Sequence, residues 1–354
     1  MFKHFALVAL LGVGLVGAFQ RTASDVSPFA TNYTQTGPTL NLTGSQLTPG
    51  EPINSYWTIY FLSASNNHSY FAVGHVQFDD FSPLEPSTIY RVSLLDITSG
   101  TYYGTANTTS GISKEPSTDF NVDLGLFKTY SPSNDLLSTM VSTSSVPGAS
   151  FNLTSVPKGP NLYDAGAGFF FWGINTTTEW GAPECWVTGT VEINGTEVDV
   201  IPEQSMSWYD RQYGPGFGTA GWNLFILLLE NGVKICVWDS KSVDHAPKQL
   251  FATIMFSDGH HEIYPVDEDI HSTNPFVSEL TNITYYGDYR VDIPLKNISL
   301  NITLPVLAGE MVNENDPTTA EALFEGYATA QGTFDGSPIK GWGVSEKKAK
   351  WTTS

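Results

Sequence analysis

The sequence predicts an all-β protein of two sandwich or barrel domains packed side by side. Helical periodicity is nearly absent along the 354 residues. Short apolar, β-branched and aromatic runs replace it, broken by Gly, Pro, Asn or Asp roughly every 8–12 residues, the rhythm of sandwiches and barrels. About 336 residues (354 less an 18-residue leader) exceed one ordinary domain and suggest two.

Taken in order, the chain opens on one basic residue, Lys3, and an apolar run from Phe5 to Val16 closed by the small residues Gly17 and Ala18. That is the pattern of a secretory signal peptide, with cleavage expected near Ala18–Phe19. The run is too short to span a bilayer, which needs about 20 apolar residues. Strands are expected at Tyr56–Leu62, Tyr70–Phe78, Ile89–Leu95, Gly168–Trp172, Trp186–Ile193, Trp222–Glu230, Val233–Asp239, Leu250–Phe256 and Ile298–Leu304. Ala320–Ala330 has helical propensity, opposed by Gly326 and the nearby Gly332 and Gly336. The Ser/Thr-rich Ser131–Ser150 reads as a surface loop. The turn-rich stretch Gly195–Gln204 supplies the boundary, giving domains at 19–195 and 196–354.

Asn-x-Ser/Thr occurs at Asn32, Asn41, Asn67, Asn107, Asn152, Asn175, Asn194, Asn282, Asn297 and Asn301, half of the chain's twenty Asn. Together with the leader, this density implies an exported chain glycosylated on both domains. The formal charge is −20, one unit more negative without Lys3. Such a surface repels phosphate backbones and anionic lipid, so nucleic acid and membrane are excluded as partners. The two cysteines, Cys185 and Cys236, are expected to pair in an oxidising compartment. A catalytic thiol is the alternative, with no Cys–His arrangement to support it.

The chemistry concentrates in Ser207–Gly216. On a strand, Trp208, Asp210 and Gln212 share one face and Tyr209 and Arg211 the other. If the first face is buried, desolvation raises the Asp210 carboxyl and readies it as a general acid beside aromatic rings. The same spacing admits a structural Asp210–Arg211 pair. Downstream, Asn231-Gly232 between two apolar runs signals a hairpin. A two-residue turn would pair Leu227 with Cys236, Phe225 with Trp238 and Leu224 with Asp239. Asp239 becomes a second acid candidate if its face is core, and an exposed strand-end residue otherwise. His75 shares a strand face with Phe71, Val73 and Gln77 and, with its ordinary pKa near neutrality, could move protons; a satisfied core histidine is the alternative. The G-x-G-x-x-G at Gly216–Gly221 precedes a strand rather than opening a helix, so a dinucleotide site is excluded. Adjacent His260 and His261 face opposite ways, and no metal site is expected.

Four stretches resemble one family. They are Tyr56-Trp57-Thr58-Ile59-Tyr60 with Phe71–Phe78, and Phe170-Phe171-Trp172 with Cys185–Val191. The third is Trp208-Tyr209-Asp210-Arg211-Gln212-Tyr213-Gly214 with Gly221-Trp222 and Glu230-Asn231-Gly232. The fourth is Glu325-Gly326 with Gly341-Trp342-Gly343 and Glu346. In this order they resemble the two-domain, lipocalin-like group of carotenoid 1,2-hydratases, AttH-type proteins and fungal kievitone hydratase. Tyr213 departs from the pattern, which usually has Trp there. The resemblance implies two lipocalin-like β domains, a hydrophobic pocket and no redox cofactor. It also implies addition of water across a C=C bond of a terpenoid or prenylated phenol; related secreted fungal proteins couple polyketides and terpenoids by hetero-Diels–Alder reaction. Asp210 takes the place of the family's proposed proton donor. With it, Trp208, Gln212, Trp222, Trp238, Trp57 and Trp342 become candidates for the walls around a small hydrophobic substrate. A non-catalytic secreted carrier of such molecules is the competing expectation.

Overall fold

The apolar runs become strands of two antiparallel sheets in the computed structural model, which describes Phe19 and residues 40–80, 85–112, 114–193, 195–241, 248–267, 270–318 and 321–350. The first sheet holds β1 (Ile53–Ser63), β2 (Ser69–Asp79), β3 (Ser87–Asp96), β4 (Thr101–Ser110), β5 (Asn121–Asp123), β6 (Phe127–Tyr130), β7 (Met140–Ser144), β8 (Ser150–Pro157), β9 (Leu162–Tyr163), β10 (Phe169–Trp172), β11 (Asn175–Ile193), β12 (Thr196–Asp199) and β13 (Met206–Gly214). The second holds β14 (Trp222–Leu229), β15 (Lys234–Ser240), β16 (Gln249–Met255), β17 (His261–Pro265), β18 (His271–Val277), β19 (Thr284–Ile293), β20 (Ile298–Thr303), β21 (Glu310–Met311), β22 (Leu323–Phe334) and β23 (Ser337–Lys348). Both sheets curl, and the expected all-β architecture of two units side by side is what the chain adopts. The expected leader lies outside the described residues. The segment with helical propensity is strand, β22, because it is hydrogen-bonded along both edges, to β20 and β23.

Strand alternation explains why the runs read as continuously apolar. On β1, Tyr56, Tyr60 and Leu62 face the core inside the first sheet, whereas Trp57, Ile59 and Phe61 face the second sheet. On β14, Phe225, Leu227 and Leu229 face the core of the second sheet, and Leu224, Ile226 and Leu228 face the first. A strand buried on both faces has no polar side to display. The layer between the sheets is therefore a third core, and the site lies in it. Phe19, the residue expected to follow the leader, is buried in that layer against Phe61, Tyr327 and Trp342.

Three details differ from the sequence reading. The change of sheet falls between Gly214 and Trp222 rather than at 195–204, because β13 inserts between β1 and β11 of the first sheet. The β14–β15 turn has three residues, with Gly232 at φ 85°, so the register moves by one: Leu227 faces Ile235, Phe225 faces Val237 and Leu224 faces Trp238. A three-residue loop ending in a left-handed Gly is the usual alternative to the two-residue turn. The thiols of Cys185 and Cys236 are free and buried. Cys185 sits among Trp180, Tyr163 and Tyr209 with its thiol 3.4 Å from the Ala182 carbonyl, whereas Cys236 faces the layer between the sheets. Burial holds both thiols above their ordinary value, so neither is a ready thiolate nucleophile.

Among the expected glycosylation sites, Asn41, Asn67, Asn152, Asn175, Asn282, Asn297 and Asn301 are exposed and Asn107 is half-buried; Asn32 and Asn194 lie outside the described residues.

Candidate active site

At one end of the inter-sheet layer a small chamber opens. Its walls include Ile53, Trp57, Ile89, Trp172, Phe217, Trp222, Leu224, Trp238 and Leu323. Polar groups set into them are Ser55, His75, Gln77, Asp79, Arg91, Glu179, Asp210, Gln212, Glu346 and Lys348. The free volume is about 50 Å³, room for a few waters. Trp172 packs edge-on to Phe217, Trp222 and Trp238 with ring centroids 5.3, 4.9 and 5.6 Å away, so one side of the chamber is an aromatic box.

The alternation of β13 places its residues as the sequence reading expects. Asp210 and Gln212 line the chamber; Tyr209 and Arg211 point the other way. Arg211 is fully buried there, stacked 4.1 Å from the Tyr56 ring and hydrogen-bonded to Ser45, Ser55, Thr48 and Asn54. The structural Asp210–Arg211 pair does not form. Instead Asp210 is 6 % exposed, its Oδ2 accepts the Trp208 indole N–H at 3.2 Å, and burial raises its pKa well above the ordinary carboxylate value. Neighbouring Asp164 adds to that rise. Both effects shift the Asp210 carboxyl toward its protonated form.

Trp208 is a correction. It does not line the chamber; it lies fully buried behind Asp210 and orients it. Gly181, opposite Asp210 on β11, leaves the room, because a Cβ there would come within 2.7 Å of the Trp208 Nε1. Trp342 is a second correction. It packs on Phe19 away from the chamber, since Trp342 lies opposite Leu228, four residue pairs along the ladder from Leu224. Asp239 is a third. The one-residue shift in register puts it opposite Asn223, on the face away from the chamber. There it accepts from Asn223 and pairs with Lys241 at 2.7 Å and Lys248 at 3.4 Å. Trp57, Gln212, Trp222 and Trp238 do line the chamber.

His75 reaches the chamber but does not titrate near neutrality. Burial, and then the Arg91 and Lys348 charges, hold its pKa well below the ordinary value. Arg91 Nη1 lies 3.4 Å from Nδ1, which assigns the proton to Nε2, facing Ser55 Oγ at 2.9 Å. A neutral imidazole held this way orients polar atoms rather than shuttling protons.

The remaining acids come from distant strands. Glu179 on β11 accepts from the Gln212 side-chain amide at 3.2 Å, and burial raises its pKa well above the ordinary value. Asp164 stands on the short turn Asp164–Gly166, pinned to the second sheet on both sides. The Tyr163 N–H donates to His261 Nε2 at 2.9 Å, and the Ala165 N–H donates to Thr253 Oγ1 at 3.0 Å. Burial pushes Asp164 to about 7. Carboxylate oxygens of Asp164, Glu179 and Asp210 lie within 4.8 Å of one another. A metal ion on this set would need all three ionised, which burial and mutual repulsion oppose. Across the chamber Trp222 donates to Glu346 at 2.5 Å and Trp57 donates to both oxygens of Glu325 at 2.7 Å. Glu325 and Glu346 face each other on paired strands. Burial pushes Glu346 to about 7 and holds Glu325 well above its ordinary value.

A buried carboxyl among tryptophan rings has the means to donate a proton and to stabilise positive charge by the ring faces. The model of the family described as AttH-like matches residues 83–346. The chain belongs to the AttH-like family. Within the family's wider circle, it is 26% identical over 301 residues to the dehydratase asqC of Emericella nidulans, covering 83% of this chain and 84% of that protein. It is 26% identical over 295 residues to the kievitone hydratase of Fusarium solani subsp. phaseoli, covering 82% and 81%. The solved kievitone hydratase of Nectria haematococca superposes with a TM-score of 0.83 at 23% identity, covering 94% of this chain and 98% of that one, and shares the fold. The resemblance read from the four motifs is thereby borne out for this AttH-like chain.

Proposed function

We propose that the chain is a hydro-lyase, adding water to or removing it from a C=C bond of a hydrophobic natural product of the terpenoid, polyketide or prenylated-phenol class, with no redox cofactor. One observation carries the reading: Asp210 is a buried carboxyl, held by burial well above its ordinary pKa, set in a chamber walled by Trp57, Trp172, Trp222 and Trp238. In the hydration direction the alkene π electrons take the Asp210 proton, and the tryptophan faces steady the cation that forms on the other carbon. A water then adds to that cation. Dehydration runs the same steps backwards. The relatives named hydratase and dehydratase support the proton chemistry. Cycloaddition could use the same apolar box, and a passive carrier needs only the box; neither has use for this set of carboxyls, each of which costs stability when buried. Export in glycosylated form is part of the proposal, supported by the leader pattern and the seven exposed sequon asparagines.

The test is incubation with kievitone in ¹⁸O-water. The wild-type protein is expected to yield a hydrated product carrying one ¹⁸O, and Asp210→Asn to lose about 10²–10⁴-fold of the rate. Product formed without the label, or an Asp210→Asn variant as fast as wild type, refutes the reading.

A further inference from the structure

Hydration consumes one proton at carbon and releases another from the attacking water. Asp210 can donate the first, but nothing in the reading above takes the second or reloads Asp210. We propose that Asp164, Glu179 and Asp210 form a single proton-sharing unit, in which Glu179 is the base for the water and Asp164 returns its proton to Asp210. The inference rests on the hydro-lyase reading and deepens it.

The geometry carries it. The three carboxyls come from three separate elements, the 164–166 turn, β11 and β13, yet their oxygens lie within 4.8 Å. All are buried, at 0, 3 and 6 % exposure. Carboxylates buried at that separation repel one another, which opposes ionising all three together. The Asp164 side chain is completely buried, and no N–H or O–H donor among the described residues reaches its oxygens; only the neighbouring Cys236 thiol does. An ionised carboxylate left so would be very costly, whereas a carboxyl that holds a mobile proton between two others is not. Glu179 and Asp210 line the chamber and Asp164 does not. The first two therefore touch the reacting atoms, and Asp164 acts through them as a positioning residue. Gln212 donates to Glu179 Oε2 and Trp208 to Asp210 Oδ2, which holds both carboxyls in place beside Asp164. Facing Glu179 and Asp210 from the rest of the chamber are Glu346, His75 and the cations Arg91 and Lys348, with Glu325 behind Glu346 and the Cys236 thiol beside Asp164.

The cycle balances. Two protons are shared among the three groups; in the working state they sit on Asp210 and Asp164, and Glu179, which accepts from the Gln212 amide, is ionised. The Asp210 O–H bond breaks as a C–H bond forms, and water oxygen bonds to the cationic carbon. A proton of that water passes to Glu179. Asp164 then gives its proton to Asp210 and takes the one on Glu179, restoring the start. One water is consumed and no other proton enters or leaves.

The decisive measurement needs no substrate: side-chain ¹³C NMR titration of the whole protein labelled at Asp and Glu. Glu179→Gln and Asp164→Asn are each expected to lower the Asp210 midpoint by about one pH unit or more, the threshold of strong coupling. The Asp79 resonance, on the far wall, should stay in place and report an intact fold. An Asp210 midpoint unmoved by either change overturns the proposal. So does collapse of the three carboxyl signals on adding Mg²⁺, Ca²⁺ or Mn²⁺ at low micromolar concentration, which would make the trio a cation site. With kievitone as probe, Glu179→Gln should lose 100-fold or more in kcat with KM unchanged, and Asp164→Asn about 10-fold in kcat alone. A wild-type kcat in Glu179→Gln overturns the base assignment. If the wild-type protein leaves kievitone untouched, that result counts against the proposed function, while the titration still judges the proton-sharing unit.

Discussion

Glu346 gives a prediction whose sign depends on pH. Its carboxyl is 6 % exposed, accepts the Trp222 indole N–H, and is pushed by burial from an ordinary 4.5 to about 7. A carboxyl raised on folding keeps its proton in the native state after the unfolded chain has lost it. Stability therefore falls as pH rises from the unfolded value, near 4.5, to the folded one, near 7, and is constant above that. The shift of about 2.5 units at 1.36 kcal/mol each is a loss of roughly 3 kcal/mol at pH 8 relative to pH 4. Glu346→Gln removes the ionisation but keeps an oxygen for Trp222. The variant should match wild type within about 1 kcal/mol at pH 4 and exceed it by about 3 kcal/mol at pH 8. Urea unfolding at the two pH values, followed by tryptophan fluorescence, reads the difference directly. A variant destabilised equally at both would refute the reasoning, because the carboxyl would then be valued for packing rather than held neutral against its tendency to ionise.

Three further outcomes follow from the same geometry. Lys234 and Glu184 form a buried ion pair at 3.0 Å between β15 of one sheet and β11 of the other; Lys234→Met alone should cost about 3–5 kcal/mol, and the Lys234→Met/Glu184→Met double variant should recover most of it in a urea titration. Gly181→Ala should drive the Trp208 indole off Asp210, lowering kcat for kievitone hydration at least 10-fold while global stability falls by only about 1–3 kcal/mol, the usual range for overpacking. Denatured, unreduced protein should take up two equivalents of a thiol alkylating reagent by mass spectrometry; uptake of none would restore the Cys185–Cys236 disulfide.

Much of this could be read from the sequence, and the failures share a cause. Alternation along β13 is local, so the inward set of Asp210 and Gln212 and the outward Arg211 followed from position alone. Trp222 and Trp238 came from the family resemblance instead. Register across a hairpin is less local. One extra turn residue at Gly232 moved every pairing by one and carried Asp239 out of the site. The acids that complete the site were not assigned at all, because no strand holds two of them close together. Glu179 sits in Thr-Thr-Glu-Trp and looks like an ordinary exposed acid on alternation; only the partnering of β11 with β13 brings it to Gln212. Asp164 lies in Tyr-Asp-Ala-Gly-Ala-Gly, which reads as a solvent-facing turn, and it is the docking of that turn onto Thr253 and His261 that buries it. Glu325 and Glu346 were visible as parts of the closing motif but carried no role until β22 and β23 set them face to face. Cysteine parity, likewise, says nothing about which core each thiol enters.

The account depends on Asp210 holding its proton at neutral pH inside the chamber. An infrared difference spectrum of the ligand-free protein at neutral pH, wild type minus Asp210→Asn, reports that proton. The prediction is the C=O stretch of a protonated carboxylic acid, lost in the variant. The paired stretches of an ionised carboxylate in its place would contradict the acid assignment and the chemistry built on it.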